Sequence, residues 1–349
     1  MENKFEVDYV TTLPTVGNAP RVRIFGKTID EYIVNIQSRD MVYNENYKCK
    51  TNETLIPNLP QWYIEWIVRI YDSRGVMVYI NDFKYHTANG VFFIKIDSVA
   101  LGDTLAWIPY VEEFRLKHKC TLICSTFFND LFIKVYPNIL FVKPNTFIDN
   151  ISGQYYIGAT YDDNPYYCQI NAKYYPLQAF GYSILGLDKR ELKVNLKPQF
   201  SHINRLLEYD YVTISEFASS PIKQWGQLSE WQKIVDYLNL IGLKVVTISK
   251  EPTQLNNVIN MCGDKSLENR ALLLRDAKFH IGVSSGLSWL AWSLDTHVVL
   301  ISDVTPNWHE FTTNVTRLNA NNLSSVNYSP DNQTSVNDVI KAIQSICMT

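Results

Sequence analysis

The chain has 349 residues, 46% hydrophobic and 19% charged, with a formal net charge of -3 at pH 7. This is the composition of a folded protein long enough for more than one α/β unit, and its near-neutral balance gives no electrostatic basis for nucleic acid or an anionic membrane as main partner. No basic stretch followed by an apolar run opens the sequence, and no apolar window of roughly eighteen residues follows. The expectation is therefore no transmembrane segment and a cytoplasmic protein.

In chain order, residues 1–88 carry short β-branched and aromatic runs, such as Val22-Arg-Ile-Phe and Trp66-Ile-Val-Arg-Ile-Tyr, between Pro, Asn and Gly clusters. They predict a β-rich N-terminal module, a candidate acceptor-docking surface. From residue 89 apolar runs alternate with helix-length amphipathic stretches, the pattern of βαβ units around a parallel sheet. Val91-Phe-Phe-Ile-Lys-Ile predicts a strand, 97–103 a loop and 104–117 a helix; Cys120 to Cys124 a strand, 126–136 a helix and Ile139-Leu-Phe-Val a third strand. A tyrosine-rich stretch at about 150–175 suits either a sugar cleft or ordinary loops.

A second series begins near residue 208. Tyr211-Val-Thr-Ile-Ser, Lys244-Val-Val-Thr-Ile-Ser, Phe279-His-Ile-Gly-Val and His297-Val-Val-Leu-Ile read as strands, with helices over 227–240 and 285–294. The fold class is α/β: two Rossmann-like lobes, 89–200 with a connector and 201–330, facing a cleft. A last helix within 331–349 is expected to cross back over the joint.

Six scattered cysteines (Cys49, Cys120, Cys124, Cys168, Cys262, Cys347) read as free thiols. Cys120 and Cys124 have a spacing that suggests a metal pair, yet positions four apart on a strand are about 13 Å from each other. Asp162-Asp163-Asn reads as a turn rather than a metal motif.

Ligand groups of open parallel sheets lie in loops at the carboxyl ends of strands. Gly282-Val-Ser-Ser-Gly-Leu-Ser-Trp ends a strand and starts a helix, so it offers backbone amides and two hydroxyls to a diphosphate, or is simply an N-capped helix. Lys223, in the loop Glu-Phe-Ala-Ser-Ser-Pro-Ile-Lys, can neutralise a leaving diphosphate or be a solvated lysine. Glu251, after the strand at 244, suits ribose hydroxyls. Asp103 is either a helix cap or a general base for an acceptor hydroxyl.

Three segments, Leu101-Gly-Asp-Thr-Leu-Ala-Trp, Ser215-Glu-Phe-Ala-Ser-Ser-Pro-Ile-Lys-Gln-Trp and Phe279-His-Ile-Gly-Val-Ser-Ser-Gly-Leu-Ser-Trp-Leu-Ala-Trp-Ser-Leu, occur in that order. With the connector Tyr175-Pro-Leu-Gln-Ala-Phe-Gly and the tail Thr305-Pro-Asn-Trp-His-Glu-Phe, the chain closely resembles the bacterial autotransporter heptosyltransferases over about residues 90–311. These are relatives of the lipopolysaccharide heptosyltransferases of glycosyltransferase family 9. The resemblance implies a GT-B fold and inverting transfer from a nucleotide-heptose, such as ADP-heptose, to serine hydroxyls of a protein acceptor before its export. The nucleotide-sugar is a co-substrate, and no cofactor or metal is expected, because helix N-termini and basic side chains stabilise the leaving diphosphate in such enzymes.

Under the resemblance Asp103, flanked by Gly102 and Thr104, is the base, and Lys223 contacts the diphosphate beside Ser219 and Ser220. Glu251 meets the nucleoside, and Ser284, Ser285, Gly286, Leu287 and Ser288 form the phosphate loop. Trp289 stands where family 9 typically carries histidine, which favours the protein-modifying branch. Two other readings stand beside this one: a lipopolysaccharide-core heptosyltransferase, or a catalytically silent nucleotide-sugar-binding assembly subunit. One departure is the C-terminal cysteine cluster with which the family binds iron and builds a large oligomer. Only Cys347 follows Cys262 here, so the region supplies no iron site and leaves a homo-oligomer open.

Overall fold

A computed structural model describes residues 3–10, 19–59, 62–82, 90–161, 168–319, 322–327 and 333–348. The Asp162-Asp163-Asn turn, Tyr166 and Tyr167 lie outside the described residues. The chain begins with β1 (Lys4–Val10), β2 (Ala19–Phe25), β3 (Glu31–Ser38), β4 (Asn44–Lys50), β5 (Thr54–Leu55), β6 (Trp66–Tyr71) and β7 (Met77–Asp82). They form two antiparallel sheets, ordered β1-β2-β5 and β4-β3-β6-β7. The period-two pattern is plain in β6, where Trp66, Val68 and Ile70 are buried and the residues between them are only partly so.

Next come β8 (Val91–Ile96), α1 (Leu101–His118), β9 (Thr121–Thr126), β10 (Ile139–Val142) and β11 (Gly153–Tyr156), a parallel sheet ordered β10-β9-β8-β11. The helix starts earlier than its apolar spacing suggests, and Ala100 is its N-cap residue, so Asp103 is not a cap but lies in the first turn. The helix expected over 126–136 is absent apart from one short turn at Asn129–Leu131. There the Asn129 carbonyl oxygen accepts from the Thr126 N–H and hydroxyl while its amide donates to the Val142 carbonyl. That side chain competes with helical backbone pairing and holds a tight turn instead.

The remainder comprises α2 (Ala179–Ile184), α3 (Lys197–Phe200), β12 (Tyr211–Ser215), α4 (Leu228–Leu240), β13 (Lys244–Thr247), β14 (Ile259–Asn260), α5 (Leu267–Arg275), β15 (His280–Val283), α6 (Gly286–Ser293), β16 (Val298–Ile301), β17 (Val315–Leu318) and α7 (Val336–Cys347). Six parallel strands form the sheet β14-β13-β12-β15-β16-β17. Strand order reverses between β12 and β15, and such a switch point opens a crevice at the carboxyl ends of the strands.

The last helix does not cross back. Val339, Ala342 and Ile343 of α7 share a core with Val235 and Leu238 of α4 and with Val299 and Ile301 of β16. The apolar face of α7 matches the flank of its own sheet, which leaves it nothing to bury elsewhere. The connector between the two parallel sheets is instead tied to α1. The Trp107 indole donates to the Leu177 carbonyl (2.7 Å), and the Tyr110 hydroxyl meets Gln178 (3.0 Å) and the Arg190 carbonyl (2.6 Å). A Cβ at Gly181 would stand 2.4 Å from the Tyr110 ring, so only glycine lets α2 approach α1 this closely.

Candidate active site

Where α1 and α6 begin, the two helix starts abut. A Cβ on Gly102 would meet the Trp289 ring at 3.0 Å, and one on Gly286 would meet the Leu101 Cβ at 2.9 Å and the Gly102 nitrogen at 3.2 Å. Two glycines therefore bring two helix N-termini, each with unpaired first-turn N–H groups, to one place. They form part of the wall of a cavity of about 850 Å³. Opposite them stand the loops after β12 and β13, with Phe217, Ser219, Lys223, Ser249 and Glu251. The volume falls within the range of small-molecule sites, roughly 300–1,000 Å³.

Asp103 lines this cavity and accepts a hydrogen bond from the Ser98 hydroxyl (2.8 Å). Burial raises its pKa above the usual aspartate value; the Ser98 bond and the charge of Lys223 pull the other way and do not cancel it. A carboxylate so placed is more basic than in water, the property a general base requires. Lys223 ends a short turn, Pro221–Lys223, whose position is set by tryptophans. The Trp231 indole donates to the Trp225 carbonyl (2.9 Å), and the Trp225 indole donates to the Thr334 carbonyl (2.7 Å).

Of the residues expected at the site, Gly102, Asp103, Ser219, Lys223, Glu251, Ser284, Ser285, Gly286, Leu287 and Trp289 line the cavity. Thr104, Ser220 and Ser288 do not. Thr104 is fully buried in the first turn of α1, and Ser220 is half-buried at the start of the Pro221–Lys223 turn. The Ser288 hydroxyl, also fully buried, donates to the Val283 carbonyl (2.7 Å). Ser285 is the N-cap residue of α6, but its hydroxyl makes no capping bond and has no partner. The plain capped-helix alternative is thus not what this loop does.

Ser98, Arg270, His309 and Glu310 are among the cavity residues that the sequence did not single out. Arg270 is buried and donates to the carbonyls of Ile248, Lys265 and Gly263, tying the loops after β13 and β14. His309 is buried, and burial lowers its pKa although the Glu310 charge pulls the other way. Its backbone carbonyl accepts from the Leu177 N–H (2.8 Å), which joins the connector to the loop after β16. Glu310 accepts from Ser284 (2.6 Å) and Thr305 (3.0 Å) and pairs with Arg317 (2.5 Å). Burial alone would raise its carboxyl, but Arg317, His309 and Ser284 outweigh it and hold the group down at about 2. The available signal was the Trp-His-Glu run closing a loop at the carboxyl end of a central strand.

Among the tyrosines of 150–175, Tyr156 and Tyr161 line the cavity, whereas Tyr155 is core and Tyr174 and Tyr175 are exposed. Cys120 and Cys124 are both buried, Cys124 within β9 and Cys120 just before it.

The α/β fold, whose two parallel sheets send helix starts and a lysine into one cavity, is a glycosyltransferase fold like that of solved heptosyltransferases. Residues 177–340 match the model of glycosyltransferase family 9 (heptosyltransferase). The autotransporter heptosyltransferase Aah of Escherichia coli is 27% identical over 300 residues, 81% of this chain and 74% of Aah. The solved structure of TibC, a bacterial iron-containing dodecameric glycosyltransferase from enterotoxigenic E. coli H10407, superposes with a TM-score of 0.78 at 21% identity, covering 97% of each chain. TibC has also been solved in complex with ADP-D-beta-D-heptose. BimC of Burkholderia thailandensis, an inactive autotransporter heptosyltransferase, is 27% identical over 263 residues, 72% of this chain and 61% of BimC. The chain is a relative of the autotransporter heptosyltransferases, as its three motifs led us to expect.

TibC contains iron. Among the described residues here, no group of three or more His, Cys, Asp or Glu side chains is assembled that could hold a metal. Cys49, Cys120, Cys124 and Cys168 are buried, and Cys347 is exposed near the end of the chain. The described residues do not fit an iron centre. No described helix is long and apolar enough to cross a membrane.

Proposed function

We propose that this protein is an inverting glycosyltransferase that moves heptose from ADP-heptose to a serine hydroxyl of a protein acceptor, in the cytoplasm before the acceptor is exported. The observation that carries this reading is the convergence of Asp103, Lys223 and the start of α6 on one cavity. Asp103 takes the proton of the acceptor hydroxyl, and the oxygen attacks the anomeric carbon from the face opposite the diphosphate. The bond from that carbon to the diphosphate oxygen breaks as the new one forms. Charge arriving on the diphosphate is met by Lys223 and by the N–H groups and Ser285 hydroxyl at the α6 start, an electrostatic role these groups can perform without a metal. Glu251, across the cavity, suits the ribose hydroxyls. Within this reading residues 1–88 dock the acceptor, 89–200 form the acceptor side and 201–330 hold the nucleotide, as GT-B lobes. The ADP-heptose complex of TibC supports the donor, and the autotransporter relatives support a protein acceptor.

A second reading rests on BimC, whose inactivity shows that such a chain can persist without turnover. Asp103→Asn separates the two. In an enzyme it abolishes heptose transfer and leaves ADP-heptose binding intact. A wild-type chain that binds ADP-heptose but releases no ADP with any autotransporter acceptor is the silent subunit instead.

A further inference from the structure

Two adjacent serines, Ser284 and Ser285, face the cavity at the end of β15, and the groups behind them are not alike. The Ser284 hydroxyl is buried and donates to Glu310 Oε1 at 2.6 Å. That carboxylate is itself held on several sides, by the Thr305 hydroxyl (3.0 and 3.2 Å to its two oxygens) and by Arg317 Nη1 (2.5 Å). Both members of the ion pair are buried, with side-chain exposures of 8% and 1%. Arg317 Nη2 donates in turn to the Thr305 hydroxyl (2.7 Å) and carbonyl (3.1 Å), so the acceptor of the Ser284 proton cannot move away. Ser285 lacks any such arrangement: its hydroxyl is shielded, faces no protein partner, and stands at the N-cap position without capping.

A serine hydroxyl has one proton and two lone pairs. We propose that Glu310 divides the labour of the loop: it commits the Ser284 proton, so that Ser284 can only accept from a ligand, and leaves Ser285 as the hydroxyl that donates to the diphosphate. Glu310 is therefore a positioning residue, acting through Ser284. The inference rests on the diphosphate reading of this loop. It also assigns a reason for a carboxylate at the phosphate end of the cavity, where an unpaired anion would repel the ligand. Arg317 neutralises its charge, and what remains is a fixed acceptor.

The test is calorimetric binding of ADP to the full-length wild type and to Ser284→Ala, Ser285→Ala, Glu310→Gln and Glu310→Ala, with the thermal unfolding of each recorded. Loss of one charge-assisted hydrogen bond should weaken ADP binding about tenfold to a hundredfold in Ser285→Ala. Ser284→Ala should stay within about threefold of wild type, because it removes no donor from the ligand. Glu310→Gln keeps a carbonyl oxygen for the Ser284 proton and so preserves the contrast. Glu310→Ala frees that proton, and adding Ser285→Ala to it should then cost clearly less than in the wild-type background, a coupling that a merely structural role would not produce. Equal losses in the two single serine variants, with wild-type ADP binding intact, overturn this inference alone. A wild-type chain that binds no ADP overturns the donor reading and this inference together. Should Glu310→Ala fail to fold, the contrast between the two serine variants still decides.

Discussion

Replacing Gly286 by alanine places one methyl group where the two helix starts meet. Its Cβ would stand 2.9 Å from the Leu101 Cβ, 3.2 Å from the Gly102 nitrogen and 3.5 Å from the Leu101 Cγ. The first two are a backbone-attached carbon and a backbone atom, which cannot rotate away, so α1 and α6 must separate. Overpacking of this kind costs about 1–3 kcal/mol. Against it, alanine reduces the freedom of the unfolded chain, which stabilises by about 0.4–1 kcal/mol, and Gly286 does not have a positive φ that would add strain. The net expectation is a loss of about 1–2 kcal/mol. The larger consequence is functional, because the displaced atoms carry Asp103 and the α6 N–H groups. Differential scanning calorimetry should show unfolding a few degrees lower, and isothermal titration should show weaker ADP binding. Gly102→Ala should be milder, since its methyl meets the edge of the Trp289 ring at 3.0 Å rather than backbone. A Gly286→Ala protein that melts no lower than wild type and binds ADP equally well would refute the claim that the two glycines set the approach of the helices.

The pH dependence of transfer follows from Asp103, whose pKa is raised chiefly by burial. The base acts only when ionised, so kcat/KM should climb with pH through a value above the ordinary aspartate range and then level off; a profile that is flat from pH 4 upward, within the protein's folded range, would argue against that role. Stability carries the opposite sign at this residue, because a raised carboxyl pKa favours the folded state less once both states are ionised. Glu310 is depressed to about 2, so its stabilising contribution is present above the ordinary glutamate range and is lost as pH falls towards about 2. Acid unfolding of Glu310→Gln should accordingly be less steep than that of wild type. Trp292→Ala removes a fully buried ring stacked on Phe311 at 4.8 Å, next to the His309-Glu310 loop, and should cost about 3–5 kcal/mol in denaturant titration; a cost below about 1 kcal/mol would contradict its place in the core.

Strands were legible wherever apolar runs were short and bounded: Trp66-Ile-Val-Arg-Ile-Tyr, Val91-Phe-Phe-Ile-Lys-Ile and Tyr211-Val-Thr-Ile-Ser appear with the ends their sequences suggest. Short edge elements escaped, among them β14 with two residues and β17 with its only partly buried Val315–Leu318, because neither has an apolar run to betray it. The start of α1 was misjudged because its first turn is chosen by tertiary contact with α6, not by a capping side chain. At the site, Asp103, Lys223 and the two serines were readable from loop position. Ser288 looked like their equal in sequence, yet one turn of helix points its hydroxyl to the Val283 carbonyl. The pairing of Glu310 with Arg317 could not be read, since it joins a loop to β17 and no local pattern announces it.

In the proposed reaction this cavity holds an ADP-linked heptose by its diphosphate. The most direct measurement is calorimetric titration of the purified protein with ADP-, UDP- and GDP-linked heptoses and hexoses, alongside Lys223→Ala. Selective binding of ADP-heptose, weakened in the variant, is the expected result. Preference for another nucleotide, or affinity indifferent to Lys223, would contradict it.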